Sequence, residues 1–349
     1  MKKRIIITLC ALLILSVILC LCSALVMPKR TERELREGRL SGEYYGEAGD
    51  HDVLFLGDCE IYESFIPAVL WNEYGITSYV RGTPSQLVWQ SYHILEDTLR
   101  YETPKIVVYN VQALVNGENK KDEQMNRMTL DGMKWSSVKV KAIFASMTEE
   151  ESFLDYLFPL LRYHSRITEL TTDDFKYAFA SPERVSHSGY LMQTDIAPMP
   201  DEDIAKINTV RDEEDFFEHE LPEETMEYLE KMRLLCEEKG SKLVLVKAPT
   251  QSSRYWWYEE WDSKVREYAA ENELDYYNFI PDYEEIGIGW TQDTYDEGMH
   301  LNVYGAEKYT RYFGNILASE HGLSDRRGDA ELDALWGARV EIYKEEKEN

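Results

Sequence analysis

The sequence predicts an α/β protein: a three-layer α/β/α domain on a mainly parallel sheet, preceded by one transmembrane helix. Three observations predict it. An uncharged apolar run of 23 residues, Ile5 to Met27, follows Lys2, Lys3 and Arg4 at the start of the chain. From His51 onward, short apolar runs alternate with segments of helical spacing, the rhythm of a parallel sheet covered on both faces. Finally, 349 residues that are 44% apolar and 12% aromatic can fill one large core. The chain divides into a basic tail (1–4), an anchor (5–27), a charged stalk (28–50), an α/β domain (51–325) and a charged, peripheral tail (326–349). A helical and loop-rich insertion interrupts the domain at about 113–220.

Spanning a bilayer takes roughly 20 apolar residues, whereas a cleaved signal peptide carries about 7–15, so the run predicts an uncleaved anchor. Cleavage after Ala24, within Cys22-Ser23-Ala24, is the alternative. Sidedness is open to two readings. Lys29, Arg30, Arg33, Arg36 and Arg39 outnumber the three cations before the run, which favours a cytoplasmic body. A short basic tail ahead of an apolar run has the form of an export signal, which favours a single-pass cell-membrane protein with an extracytoplasmic body.

The formal charge of −27 excludes nucleic acid as a partner, because phosphate binding needs clustered Lys and Arg. Cys10, Cys20 and Cys22 fall in the apolar run, leaving Cys59 and Cys236. Two such thiols make neither a disulfide framework nor a zinc site, and there is no dinucleotide fingerprint. No metal and no cofactor are expected.

The elements follow in order. Val53 to Leu56 is a buried strand ended by Gly57. Pro67 opens a helix through Asn72, Ile76 to Val80 is a second strand, and Leu87 to Tyr101 is an amphipathic helix. Ile106 to Tyr109 is the third strand. In the insertion, Met125 to Arg166 reads as helical and aromatic, a lid or substrate platform. Pro222 opens a helix ending at Gly240, Leu243 to Val246 is a strand, Trp261 to Asn272 a helix, Tyr276 to Ile280 a fifth strand, and Tyr304 to Glu320 the last helix. On this reading Cys236 sits near the amino-terminal edge of the sheet and Cys59 at the opposite edge. A strand of 5–6 residues separates the edges by about 17–20 Å, well beyond the roughly 7 Å that a disulfide tolerates.

Ligands of open parallel sheets bind at the carboxyl ends of the strands, so the polar residues closing each strand are the candidates. Strand one gives Gly57-Asp58-Cys59-Glu60, strand two Arg81-Gly82-Thr83, and strand three Asn110. Before the last helix stands Asp293 to Asn302, containing Asp296, Glu297 and His300. Four distant segments then converge on one rim. Each also has a bland reading: Cys59 as core packing, His300 as a helix buttress, Gly82 and Asn110 as ordinary turn residues. His164 and His187 lie in the insertion, and Tyr255-Trp256-Trp257-Tyr258 follows strand four as either a stacking surface or a hydrophobic plug.

This order of motifs resembles the SGNH/GDSL hydrolase superfamily. The family has Gly-Asp-Ser after its first strand, glycine after the second, asparagine after the third and Asp-x-x-His before the last helix. The matches are Gly57-Asp58-Cys59, Gly82, Asn110 and Asp296 to His300, over roughly residues 51–320. The body looks most like the membrane-attached acyl-transfer branch, which includes the D-alanyl transfer protein of teichoic acids and polysaccharide O-acetylation proteins. Two departures stand out: cysteine replaces the nucleophilic serine, and Asp296 precedes His300 by four residues with Glu297 at the usual three. Gly298, which lets the chain fold back, favours Asp296; Asp58 and Glu297 are secondary candidates.

The resemblance implies an esterase or O-acyltransferase acting on an acyl ester of a cell-envelope polymer. Cys59 would be the nucleophile, His300 the general base and Asp296 its orienting acid, with Gly82, Asn110 and the Cys59 N–H binding the oxyanion. Its implied partners are an envelope polysaccharide or teichoic-acid-like polymer, the membrane through the N-terminal helix, and a membrane acyl-transfer protein. The cysteine keeps a second expectation alive, a non-catalytic relative that binds envelope glycan or an assembly partner.

Overall fold

The computed structural model describes residues 2–30, 35–47, 49–179, 184–204, 220–251, 257 and 259–348. Its centre is a sheet of five strands: β1 (Val53–Gly57), β2 (Ser78–Gly82), β3 (Ile106–Asn110), β4 (Lys242–Lys247) and β5 (Asp275–Asn278). They lie in the order β2-β1-β3-β4-β5, and every neighbouring pair is parallel. The helices used below are α1 (Lys2–Val26), α2 (Pro67–Tyr74), α3 (Val88–Thr98), α4 (Ser137–Ser146), α5 (Glu223–Lys239), α6 (Glu259–Glu271), α7 (Val303–Ser319) and α8 (Ala330–Glu348).

Strand side chains alternate between two faces, and both faces are apolar. Val53, Phe55, Val108 and Val244 pack with side chains of α2, α7 and α8. Leu54, Leu56, Val107 and Leu245 pack with those of α3, α5 and α6. This is the three-layer α/β/α arrangement expected from the continuous apolar runs. Helix α1 is long and apolar enough to cross a membrane. Strand order reverses direction between β1 and β3, the place where open α/β sheets form a crevice at their carboxyl edge.

Three sequence expectations change. The long insertion helix is broken into Glu123–Leu130, α4, Phe153–Leu157 and Pro159–Tyr163. The reasons are local: Asp122, Ser136 and Ser152 each accept a hydrogen bond from a first-turn N–H, starting new helices, and Pro159 opens another. Leu130, Val138, Ile143 and Tyr156 give this region its own small core.

The charged stalk packs on the body: Arg30 pairs with Asp131 at 2.8 Å, and the chain lies against the core from Arg36 onward. Leu40 and Tyr44 are buried, Tyr44 donates to Glu102 at 2.7 Å, and the Arg81 guanidinium lies 4.0 Å over its ring. The charged tail is likewise no peripheral segment. Leu332, Trp336, Val340 and Tyr343 form one stripe of α8 against the core, and Trp336 stacks on Trp71 at 5.9 Å. In both stretches a few apolar residues at helical spacing outweigh the many charges around them.

Candidate functional site

The site begins where β1 ends. Gly57 has φ +152, and a Cβ there would lie 2.6 Å from the Ile61 side chain and 3.0 Å from Asn110 Cβ. Glycine alone permits this turn at this approach. Asp58 then caps the short helix Cys59–Tyr62, accepting from the Glu60 N–H at 3.2 Å. Gly82 is the register partner of Gly57, and a Cβ on it would come within 3.0 Å of the Asp58 carbonyl. Bare backbone on both strands thus lets Cys59 sit at the carboxyl edge of the sheet.

The second half comes from the loop before α7. Thr294 Oγ1 accepts from the Gly298 N–H at 2.8 Å, and Gly298 takes φ +91, folding the chain back. Asp296 is thereby set to receive two bonds from His300, the backbone N–H at 2.7 Å and Nδ1 at 2.6 Å. Glu297 is exposed, so Asp296 is the carboxylate on the imidazole. The Cys59 thiol neighbours the His300 side chain, close enough for each to shift the other's proton affinity. Cysteine, histidine and aspartate therefore meet at the carboxyl edge of the sheet, from segments more than two hundred residues apart.

The loop between residues 189 and 199 ties these halves together. Leu191 N–H donates to the Tyr62 carbonyl at 2.8 Å, while Val303 N–H donates to the Gln193 carbonyl at 2.7 Å. From the β4 side, Gln251 N–H reaches the Gly298 carbonyl at 2.9 Å and Thr250 Oγ1 donates to the Met299 carbonyl at 3.0 Å.

Asn110 occupies a different position from the oxyanion donor expected. Its Nδ2 donates to Glu60 at 2.9 Å and to Asp58 at 3.3 Å, and its Oδ1 accepts from the Ala248 N–H at 3.1 Å. Its amide is spent holding the Cys59 turn. Beside it Lys247 Nζ lies 2.7 Å from both oxygens of Glu60, and this ion pair is buried.

Sequence reasoning also missed Glu63 and Tyr295. Glu63 Oε2 is 3.7 Å from His300 Nδ1, its other oxygen accepts from Tyr295 at 2.8 Å, and the Tyr295 ring lies nearly parallel to the imidazole. A signal was present: Glu60 and Glu63 stand among Ile61, Tyr62 and Phe65 straight after a buried strand, and Lys247 ends another. Charges so placed require partners.

Burial dominates the electrostatics. It pushes the Cys59 thiol up to about 11, only partly offset by His300. It raises Glu63 to about 7, and with the Glu60 charge it raises Asp58 to about 6. Burial opposes charge on His300 too, but the sulfur of Cys59, the Glu63 carboxylate and the Asp296 bond outweigh it, holding the imidazole well above its ordinary value. The site is rich in protons at neutral pH.

The remaining candidates lie apart from this chemistry. Cys236 is buried among apolar residues, is a free thiol like Cys59, and burial raises it to about 12. His187 pairs with Glu346 of α8, and His164 is exposed. Trp257 is buried and donates to Asp262, while Tyr255, Trp256 and Tyr258 lie outside the described residues. Among the described residues, no cluster of three or more His, Cys, Asp or Glu is placed to hold a metal ion.

Compared with models of known protein families and with curated proteins, the chain finds no match. What fold and site define is a class: a three-layer α/β protein carrying a Cys-His-Asp constellation at the carboxyl edge of a parallel sheet.

Proposed function

We propose that this protein is an SGNH/GDSL-type esterase or O-acyltransferase that transfers an acyl group through Cys59. The observation that carries the reading is a single imidazole that neighbours the Cys59 thiol and is bonded to the Asp296 carboxylate. Asp296 fixes the ring orientation. Neutral His300, a form that gains population as pH rises, takes the thiol proton as sulfur attacks the carbonyl and returns it to the leaving oxygen. The backbone N–H groups of Cys59 and Gly82 bind the oxyanion, with Asn110 a buttress rather than a donor. Because the thiol rests neutral, proton removal accompanies attack and no thiolate accumulates beforehand.

The acyl group is carried from a membrane acyl-transfer partner to a hydroxyl of a cell-envelope polysaccharide or teichoic-acid-like polymer. Helix α1 is an uncleaved single-pass anchor, and the body lies outside the cytoplasm. The export-like basic tail and the resemblance support this placement against the charge count.

A second reading is favoured by one observation, the 9% exposure of Cys59. It makes the protein a non-catalytic relative that binds envelope glycan or an assembly partner. The experiment is acylation of the full chain in detergent with a p-nitrophenyl ester, followed by peptide mass spectrometry. An acyl adduct on Cys59, absent from Cys236 and lost in His300→Ala, supports the enzyme. No adduct on Cys59, with release no faster than in Cys59→Ala, supports the binding protein.

A further inference from the structure

We infer that the helical insertion between residues 153 and 179 is embedded in the surface of the same lipid bilayer that α1 crosses; this rests on the reading of α1 as a retained anchor. Four short segments make up the region: Phe153–Leu157, Pro159–Tyr163, His164–Glu169 and Thr172–Phe179. The last three pack against α1.

The depth of that contact is what points to lipid. Residues Lys2 to Ile18 of α1 are exposed along their whole length, whereas Leu19 and Cys22 to Val26 are partly or wholly covered. From Leu19 to Val26 the helix advances about 10 Å. An element that covers it over that distance lies alongside the last two turns of the apolar span, at the boundary of headgroups and acyl chains. Interfacial helices seat their apolar side chains roughly 5–10 Å into this boundary. The junction is fixed, because Arg166 Nη1 donates to the carbonyls of Val26 and Met27 at 2.6 and 2.7 Å, satisfying the open end of α1.

The insertion carries the side chains such a position requires. Leu157, Phe158, Leu161, Ile167 and Phe175 are between 40% and 55% exposed. A soluble surface of this size gathers few such residues together. Just past the helix end, a cavity of about 570 Å³ is lined by Met27 and Pro28 and by four cations, Lys29, Arg30, Arg39 and Arg184, against two carboxylates, Glu43 and Asp131. That is the level of the lipid phosphates. Apolar side chains thus lie beside the hydrophobic span and cations one step beyond it, the order of a membrane interface.

The test places an environment-sensitive fluorescent amino acid, by stop-codon suppression, at Phe158, Leu161 or Phe175 of the full chain. Each variant is reconstituted into vesicles of phosphatidylcholine and phosphatidylglycerol containing lipids brominated at shallow or deep acyl positions. Leu13 in α1 reports the anchor and Ser319 on α7 reports the water-facing body. The inference expects the insertion probes to be blue-shifted relative to Ser319 and quenched more by shallow than by deep bromines. Quenching at Leu13 with insertion probes that behave like Ser319 overturns it and leaves the anchor standing. No quenching at Leu13 removes the anchor and the inference together. Vesicles without other protein exclude a protein occupant of the apolar face as the source of the signal. Three exposed positions, each checked by thermal melting, keep one misfolded variant from deciding the outcome.

Discussion

Replacing Lys247 with methionine removes one half of the ion pair beneath the Cys59 turn and keeps its volume. In the parent, Lys247 is fully buried and Glu60 is 2% exposed, with Nζ 2.7 Å from both carboxylate oxygens. The variant leaves that carboxylate in the core with the Asn110 amide as its remaining side-chain donor. Stranding a buried charge costs about 3–5 kcal/mol, and at about 2 °C per kcal/mol this lowers Tm by about 6–10 °C. The assay is thermal unfolding of the full chain in detergent at neutral pH, with Glu60→Gln and the double variant alongside. The double variant, free of the stranded charge, recovers most of the loss. A Lys247→Met melt within 2 °C of the parent, on the scale of one kcal/mol, refutes the idea that this pair pins the turn.

Four further outcomes follow. Asp296→Asn leaves the fold intact but lowers acylation of Cys59 roughly 10³–10⁴-fold, since the imidazole loses the partner that fixes its orientation, measured by ester release. Alkylation of Cys59 by iodoacetamide climbs steadily from pH 7 to about 10, because burial raises the thiol to about 11; a plateau at neutral pH counts against the neutral resting thiol. Glu63→Gln stabilises the protein at pH 8 but not at pH 4: the folded carboxyl titrates near 7 against an ordinary 4.5, so the native state holds the extra proton and loses stability as pH rises through that window, by about 3 kcal/mol, read from paired melts at the two pH values. Trp336→Ala, which empties a side chain 2% exposed, costs about 3–5 kcal/mol by the same melts and tests whether α8 belongs to the core.

The sheet was legible because its strands are continuous apolar runs closed by Gly57, Gly82 and Asn110, and the helices because Pro67, Pro222 and Gly240 mark their ends. Asp296 was distinguishable from Glu297 through Gly298, the residue whose backbone turns the chain. What stayed hidden depended on cross-chain pairing. Lys247 and Glu60 are 187 residues apart, and Glu63 meets Tyr295 across 232; no local period encodes such contacts. The stalk and tail were misjudged for a related reason. Their charges dominate composition, while burial is decided by a few side chains such as Tyr44 and Trp336. Asn110 shows the limit of motif reading. Its place at the end of β3 was correct, but its hydrogens are claimed by Asp58 and Glu60, two carboxylates that ordinary spacing gives no reason to point inward.

Those inward carboxylates explain how one short turn holds Cys59 still. Asp58, Glu60 and Glu63 flank Cys59, and each is answered from a different direction: Asp58 by the Glu60 N–H and Asn110, Glu60 by Lys247, Glu63 by Tyr295. The first two bind the turn to β3 and β4; the third binds it to the His300 loop. Cys59 is therefore clamped from both sides, with the imidazole beside it and Asp296 bonded to that ring. In such a clamp the protons are the groups free to move. Glu63, raised to about 7 and set 3.7 Å from Nδ1, gains charge just as the surroundings turn alkaline, and that charge favours a protonated imidazole. Asp296 sets the ring and Glu63 adds to its basicity.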